Sequence, residues 1–326
     1  MRLLILGGTS FVGRYITQLA LDDGHEVTLF NRGLTNSSLF PSAEKRRGDR
    51  DTSDLASLAT GEWDAVIDVN GYVPRHVREA VELLSGRVGR YCFISTGSVY
   101  TSYDAPVNDE DSPLAQLADP TVEEVTDGTY GGLKVLCEQV VQASFGAQAL
   151  IVRPGIVAGP HDPTDRFTYW VRRLARGGRV LGPERPDQPV QVVHAGDQAK
   201  FVLGLIASST GGVFNSVGPD DAATFADLID ACRIATGVDA EMVWLPDAFR
   251  QQHEVALPLA LPASGDYDGL FRISNQRGRT HGLRNRPLRR TAEDVLDWDA
   301  GRDDPLAFEL APEREVELLG AAGAAR

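Results

Sequence analysis

The 326-residue chain is 42% hydrophobic with a formal charge of −14, enough length and apolar content for one large α/β domain with a smaller companion. That negative charge, with no basic stripe or interleaved aromatics to offset it, sets the chain against nucleic acid as a main partner. No apolar run approaches the ~18 residues of a membrane span, and Cys92, Cys137 and Cys232, odd in number and far apart, read as buried thiols of a reducing cytoplasm.

In chain order the N-terminal half alternates β-branched runs with helical periods. "RLLILG" is a strand leading into glycines rather than the core of a signal peptide. A helix from about Phe11, "EVTLFN", "KRRGD", a helix near Leu55, "DAVIDV", a helix from Pro74 and "RYCFIS" follow. Such alternation predicts a parallel sheet with helices on both faces. A loop from about Ser102 to Gly128, longer than ordinary connections and so of a functional kind, precedes a helix over Thr129 to Glu138. After "ALIVRPGIVAG" the segments grow irregular and richer in Pro, Gly and Arg. We expect a dinucleotide-binding domain over residues 1–158, joined again by 190–218. A substrate domain from 159–189 and 219–310 and a C-terminal helix and tail over 311–326 complete the chain. Arg172, Arg176 and Arg179 fall at helical spacing, which fits a solvated helix face better than a cradle for an anion.

The stretch "LLILGGTSFVG" joins a strand, a glycine turn and a helix start. Gly7 and Gly8 permit the turn, and Gly13 lets the helix pack on the strand, so that free N–H groups of Thr9, Ser10, Phe11 and Val12 face a pyrophosphate. Ser10 stands where a third glycine is usual. At the end of the second strand, Asn31 replaces the carboxylate that an NAD ribose wants, and Arg32 follows as a donor fork suited to a 2′-phosphate. NADP(H) is therefore the expected cofactor, with NAD(H) second. Asp49, followed by Arg50, is placed to meet the adenine.

Only three of the 32 basic residues are lysines, and Lys134 lies four positions after Tyr130, one helical turn away on the same face. An ammonium about 6 Å from the phenol, at an effective dielectric of about 20, favours the phenolate by about 2.8 kcal/mol. That is about two pKa units, enough to make Tyr130 an acid or base near neutral pH. Thr96, with Ser98 and Ser95 behind it, supplies hydroxyls at the C-terminal end of the fifth strand, where ligands of open α/β sheets bind. The six histidines show no metal-binding spacing, and no G-x-S-x-G elbow is present, so neither a metal site nor a serine hydrolase is expected.

"GGTSFVG", "FISTGSVY", Tyr130 with Lys134, "VRPGIVAGP", "VQVVHAGDQAKFVL", "FNSVG" and "RNRPLRRTAEDVLDW" occur in one order. On these motifs the chain resembles the extended short-chain dehydrogenase/reductases, the NAD-dependent epimerase/dehydratase family, over nearly its whole length. The resemblance implies a Rossmann-type doubly wound parallel sheet with a smaller C-terminal substrate-binding domain, and Thr96, Tyr130 and Lys134 as the catalytic set. It also implies cofactor contacts from Val69, Asn70, Gly71, Pro154, Gly155 and Ile156. Gly97-Ser98 stand where sugar dehydratases of the family carry an acid pair, and Val190-Gln191 where nucleotide-sugar members often carry Arg-Asp. Dehydration and a nucleotide sugar are both disfavoured by those departures. Ser10 and Asn31-Arg32 are similar to an atypical branch, some of whose members are RNA-associated in plastids.

The expected activity is an NAD(P)-dependent oxidoreductase acting at a secondary alcohol or ketone of a small polar substrate. A sugar epimerase with tightly held NAD and a non-catalytic nucleotide-binding or RNA-associated protein are the alternatives. Ser98, His161, Arg166, Tyr169 and Trp170 are the expected substrate contacts, and a homodimer is compatible with the sequence.

Overall fold

The computed structural model describes residues 1–101 and 107–324. The first half contains β1 (Arg2–Leu6), α1 (Phe11–Asp22), β2 (Glu26–Asn31), β3 (Glu44–Arg47), β4 (Ala65–Asp68), α2 (Pro74–Leu84), β5 (Tyr91–Ile94) and α3 (Tyr130–Phe145). The second contains β6 (Ala149–Pro154), β7 (Ile156–Ala158), α4 (Thr168–Ala175), β8 (Gly178–Gly182), β9 (Pro189–Val190), β10 (Val192–His194) and α5 (Ala195–Ala207). Then come β11 (Gly212–Ser216), β12 (Ala223–Thr224), α6 (Phe225–Thr236), β13 (Ala240–Trp244), α7 (Asp247–Gln252), α8 (Gln276–Thr280), α9 (Leu288–Asp299) and α10 (Pro312–Ala324). The helix expected near Leu55 is a single 3-10 turn over Ala56–Leu58.

Seven strands form one parallel sheet in the order β11-β6-β5-β4-β1-β2-β3. The fold is thus the doubly wound Rossmann type. Leu3 to Leu6 of β1 are fully buried, which is why the strand reads as a continuous apolar run rather than an alternating one. α1 and α5 pack together on one face, α2 and α3 on the other. Strand order reverses across β1 and β4, and this switch point opens the crevice at the C-terminal ends of the strands.

A second core gathers Phe167, Trp170, Leu174, Phe225, Leu228 and Val295 among α4, α6 and α9. The residues between 190 and 218 divide: α5 and β11 join the large sheet, whereas β9 pairs with β12 and β10 with β7. α6 starts with a capping box between Thr224 and Asp227, which satisfies two of its terminal donors. The arginine series is neither a solvated face nor a cradle. Arg172 pairs with Asp299 at 2.5 Å and Arg176 with Glu309, and Arg179 lies on β8. Of the long loop, residues 102–106 lie outside the described residues, as do residues 325 and 326 of the C-terminal tail.

Candidate active site

The loop between β1 and α1 turns at Gly7, whose φ of 110° is open to glycine and strained for other residues. A Cβ at Gly13 would lie 2.9 Å from the Gly8 nitrogen and 3.0 Å from its Cα, so the helix start closes onto the turn only because that side chain is missing. Ser10 takes the cap position of α1 without a side-chain cap bond, leaving the helix N–H groups unfilled by the protein. Three side chains fasten this cradle. Thr17 Oγ1 donates to Gly8 O at 3.0 Å and Gly13 O at 2.8 Å, Asn31 Nδ2 to Gly7 O at 2.9 Å, and Asn36 Nδ2 to Thr9 O at 3.0 Å. Thr17 and Asn36 escaped sequence reasoning. The buried Thr17, one turn beyond Gly13, was the one available signal.

Asn31 therefore does more than leave out an acid. Its Oδ1 accepts from Gly33 N at 2.9 Å and Arg47 Nη1 at 2.7 Å, which brings a second guanidinium to the corner where Arg32 stands. Arg32 is 58% exposed and 3.8 Å from an equally open Asp51. Asp49 lines the cleft at the same end. Arg50 is buried, and its guanidinium is engaged inside the protein rather than offered to a ligand. It makes a two-point pair with Asp68 at 2.8 and 2.9 Å, and reaches Asn70 Oδ1 at 3.1 Å and His76 O at 2.8 Å. Burial works to raise the Asp68 carboxyl, but Arg50 and the Tyr91 hydroxyl outweigh it and hold Asp68 below its usual range. This knot fixes the end of β4, from which Val69 and Asn70 line the cleft and Gly71 turns its carbonyl to Lys134.

Thr96, Tyr130 and Lys134 meet at one wall of that cleft, beside Pro154, Gly155 and Ile156. Thr96 follows β5 and caps a short turn: its Oγ1 accepts from Ser98 N at 3.1 Å and donates to Ser98 Oγ at 3.3 Å. Lys134 is 2% exposed and donates to Gly71 O and Ile94 O, both at 2.8 Å, with its ammonium 4.1 Å from the Phe93 ring centre. Burial lowers its pKa from 10.5 to about 8. Two of its three donors are thus committed to backbone, which leaves one for a ligand.

The expected phenolate is not found. Tyr130 is raised above the ordinary tyrosine value because burial dominates, with a hydrogen bond to Thr96 pulling the other way, Tyr72 adding to the rise and Arg166 opposing it. Lys134, turned to its two carbonyls, does not supply the shift anticipated from spacing alone. Ser95 lines the cleft too, but its hydroxyl is engaged: it donates to Glu138 Oε1, and Glu138 Oε2 is paired with the buried Arg153 at 2.7 Å. Glu138 lies one turn beyond Lys134, so this ion pair anchors the helix that carries Tyr130 and Lys134.

The cleft encloses about 960 Å³. Its far side is made by Ser98, Asp162, Thr164 and Arg166, with Tyr72, Glu123 and Phe271. Tyr72, Asp162 and Thr164 were not foreseen. Two expected contacts are misplaced: Tyr169 and Trp170 are 2% and 0% exposed, stacked edge to face 4.9 Å apart in the second core, and Trp170 Nε1 donates to Pro258 O. The apolar side of α4 faces that core, so its aromatics cannot reach the cleft. His161 packs edge-on against Trp298 at 5.2 Å and lies outside the cleft lining. Among the described residues no group of three or more His, Cys, Asp or Glu is arranged to hold a metal, and no helix is long and apolar enough to cross a membrane.

The sequence model of the NAD dependent epimerase/dehydratase family matches residues 3–216. A chloroplast stem-loop binding protein of 41 kDa from Arabidopsis thaliana is 28% identical over 254 residues, a match spanning 72% of this chain but 63% of that protein's own length. A UDP-glucose 4-epimerase of Corynebacterium glutamicum is 26% identical over 277 residues, covering 73% of this chain and 81% of the relative. Among solved structures, a UDP-glucose 4-epimerase superposes with a TM-score of 0.70 over 95% of this chain and 100% of the other at 16% identity, a likeness in fold alone.

Proposed function

The chain belongs to the NAD dependent epimerase/dehydratase family, and on that premise we propose that it is an NAD(P)-dependent oxidoreductase acting at a secondary alcohol or ketone. The observation that carries this reading is the convergence of Thr96, Tyr130 and Lys134 on the cleft that begins at the glycine cradle. A dinucleotide fits the residues present. Gly7 and Gly13 leave room that a Cβ would fill, the first turn of α1 offers unfilled N–H groups, and Lys134 keeps one donor for a ribose hydroxyl. A bound nicotinamide supplies or takes up the hydride.

The protein's own part is proton delivery and orientation. Tyr130, held protonated by burial, donates to a carbonyl oxygen being reduced, with the Thr96 hydroxyl lining the same cleft. Lys134 orients the cofactor rather than acidifying the phenol in the ligand-free protein. We further propose a preference for NADP(H), supported by an amide in place of an acid at the end of β2 and by Arg32 and Arg47 beside it.

The epimerase relative favours a second reading, a sugar epimerase that retains its cofactor through the catalytic cycle. The plant relative's name speaks of stem-loop binding, and the charge of −14 weighs against the same partner here. Incubating the protein with NADPH and a panel of carbonyl metabolites, while following reduced-nicotinamide absorbance, tests the proposal. Steady oxidation with cofactor exchange supports the reductase. No oxidation, together with NAD that copurifies and resists dialysis, would place the epimerase first.

A further inference from the structure

Four cations border the cleft among the described residues, and three already have a partner or a part in the proposed cofactor site. Arg32 stands beside Asp51, Arg50 is locked to Asp68, and Lys134 is held by two carbonyls. Arg166 is the exception. Its Nε donates to Thr164 Oγ1 at 3.1 Å, and no carboxylate lies within ion-pairing distance of its guanidinium. Neither acid of its own loop, "HDPTDR", comes within ion-pairing distance, although the Arg166 charge acts on Asp162 and Asp162 Oδ2 has no hydrogen-bond partner. Asp165 is fully buried in a two-point pair with Arg302 at 2.6 and 2.9 Å. Asp162, 3% exposed, spends Oδ1 on Thr164 N at 2.8 Å and Thr164 Oγ1 at 2.7 Å.

Arg166 thus lines the cleft without an ion-pair partner. Thr164 ties down one edge of the guanidinium and leaves the terminal nitrogens to bind, a fork that matches two oxygens of a planar or tetrahedral anion. Arg166 and Tyr130 line the same cleft, so an anion held by Arg166 shares that cleft with the proton donor.

Resting on the oxidoreductase reading, we propose that the substrate is a hydroxy or oxo compound bearing a carboxylate or phosphate, bound by Arg166 with its reacting carbon at Thr96 and Tyr130. Such a group lies close to the carbon being reduced. Neutral sugars and simple ketones lack the charge that answers Arg166.

The test uses one six-carbon chain in three forms, gluconate, sorbitol phosphate and sorbitol, titrated calorimetrically into the protein saturated with oxidised NADP. Wild type should bind one of the two anions at least about tenfold more tightly than sorbitol, since a charge-assisted contact is worth that much or more. Which anion wins identifies the group. Arg166→Gln should abolish the difference and Arg166→Lys keep part of it, with cofactor affinity unchanged in both. Equal affinity for anions and sorbitol, no measurable binding of either anion, or a preference that survives Arg166→Gln overturns the inference. Failure of wild type to bind either NADP or NAD would instead strike the underlying reading, so the two failures are told apart.

Discussion

Replacing Lys134 with methionine measures what its burial costs. In the folded protein the ammonium is 2% exposed and its pKa is lowered from 10.5 to about 8. That difference corresponds to roughly 3 kcal/mol. Below about pH 8 both folded and unfolded chains carry the charge, and the full penalty is present. Between about pH 8 and 10.5 the unfolded chain binds more protons than the folded one at this site, so folding stability rises with pH. Above that window the penalty is gone. Lys134→Met removes the titration, and also the hydrogen bonds to Gly71 O and Ile94 O, a loss that does not depend on pH. Urea unfolding of both proteins without cofactor, at several values from pH 7 to 10.5, isolates the effect. The stability of wild type relative to Lys134→Met should grow by roughly 3 kcal/mol across that range. Parallel curves, differing by a constant, would show that Lys134 titrates as a solvated lysine and refute the reasoning.

Gly13→Ala places a methyl group against the Gly8 backbone, and should cost about 1–3 kcal/mol in unfolding experiments while weakening cofactor binding at least tenfold by calorimetry. NADPH should bind about ten- to a hundredfold more tightly than NADH; Arg32→Ala and Arg47→Ala should each narrow that gap, and a wild type that prefers NADH would remove both from the account. Asn31→Asp should weaken both cofactors rather than exchange them, because the amide that donates to Gly7 O is lost. Trp170→Phe should lower stability by about 1–3 kcal/mol and leave cofactor affinity as it was, since Trp170 is core; a changed affinity would return it to the cleft.

What could be read in the sequence was what is local and periodic. The glycine turn, the helix from Phe11 and the one-turn spacing of Tyr130 and Lys134 depend on neighbours within a few positions, so a parallel sheet with helices on both faces followed from pattern, and Thr96, Tyr130 and Lys134 all line one cleft. What pattern does not carry is which way a side chain faces once the chain closes. Tyr169 and Trp170 were legible as an apolar helix face, but a core and a cleft are equally apolar from one strand of text. Arg50 read as a cofactor contact because its partner, Asp68, lies 18 positions on and meets it only in the folded chain. The coupling of Lys134 to Tyr130 failed for a related reason: spacing fixed the face, and the carbonyls of Gly71 and Ile94, from two other segments, fixed where the charge points.

Tyr130 as the proton donor is the central claim, and Tyr130→Phe is its most direct test. The variant keeps the ring and loses only the hydroxyl. Measured on a substrate that wild type reduces with NADPH, it should bind cofactor as wild type does and lose at least ~10²-fold in turnover. Turnover within about threefold of wild type, at equal cofactor affinity, would remove Tyr130 from the chemistry and contradict the account.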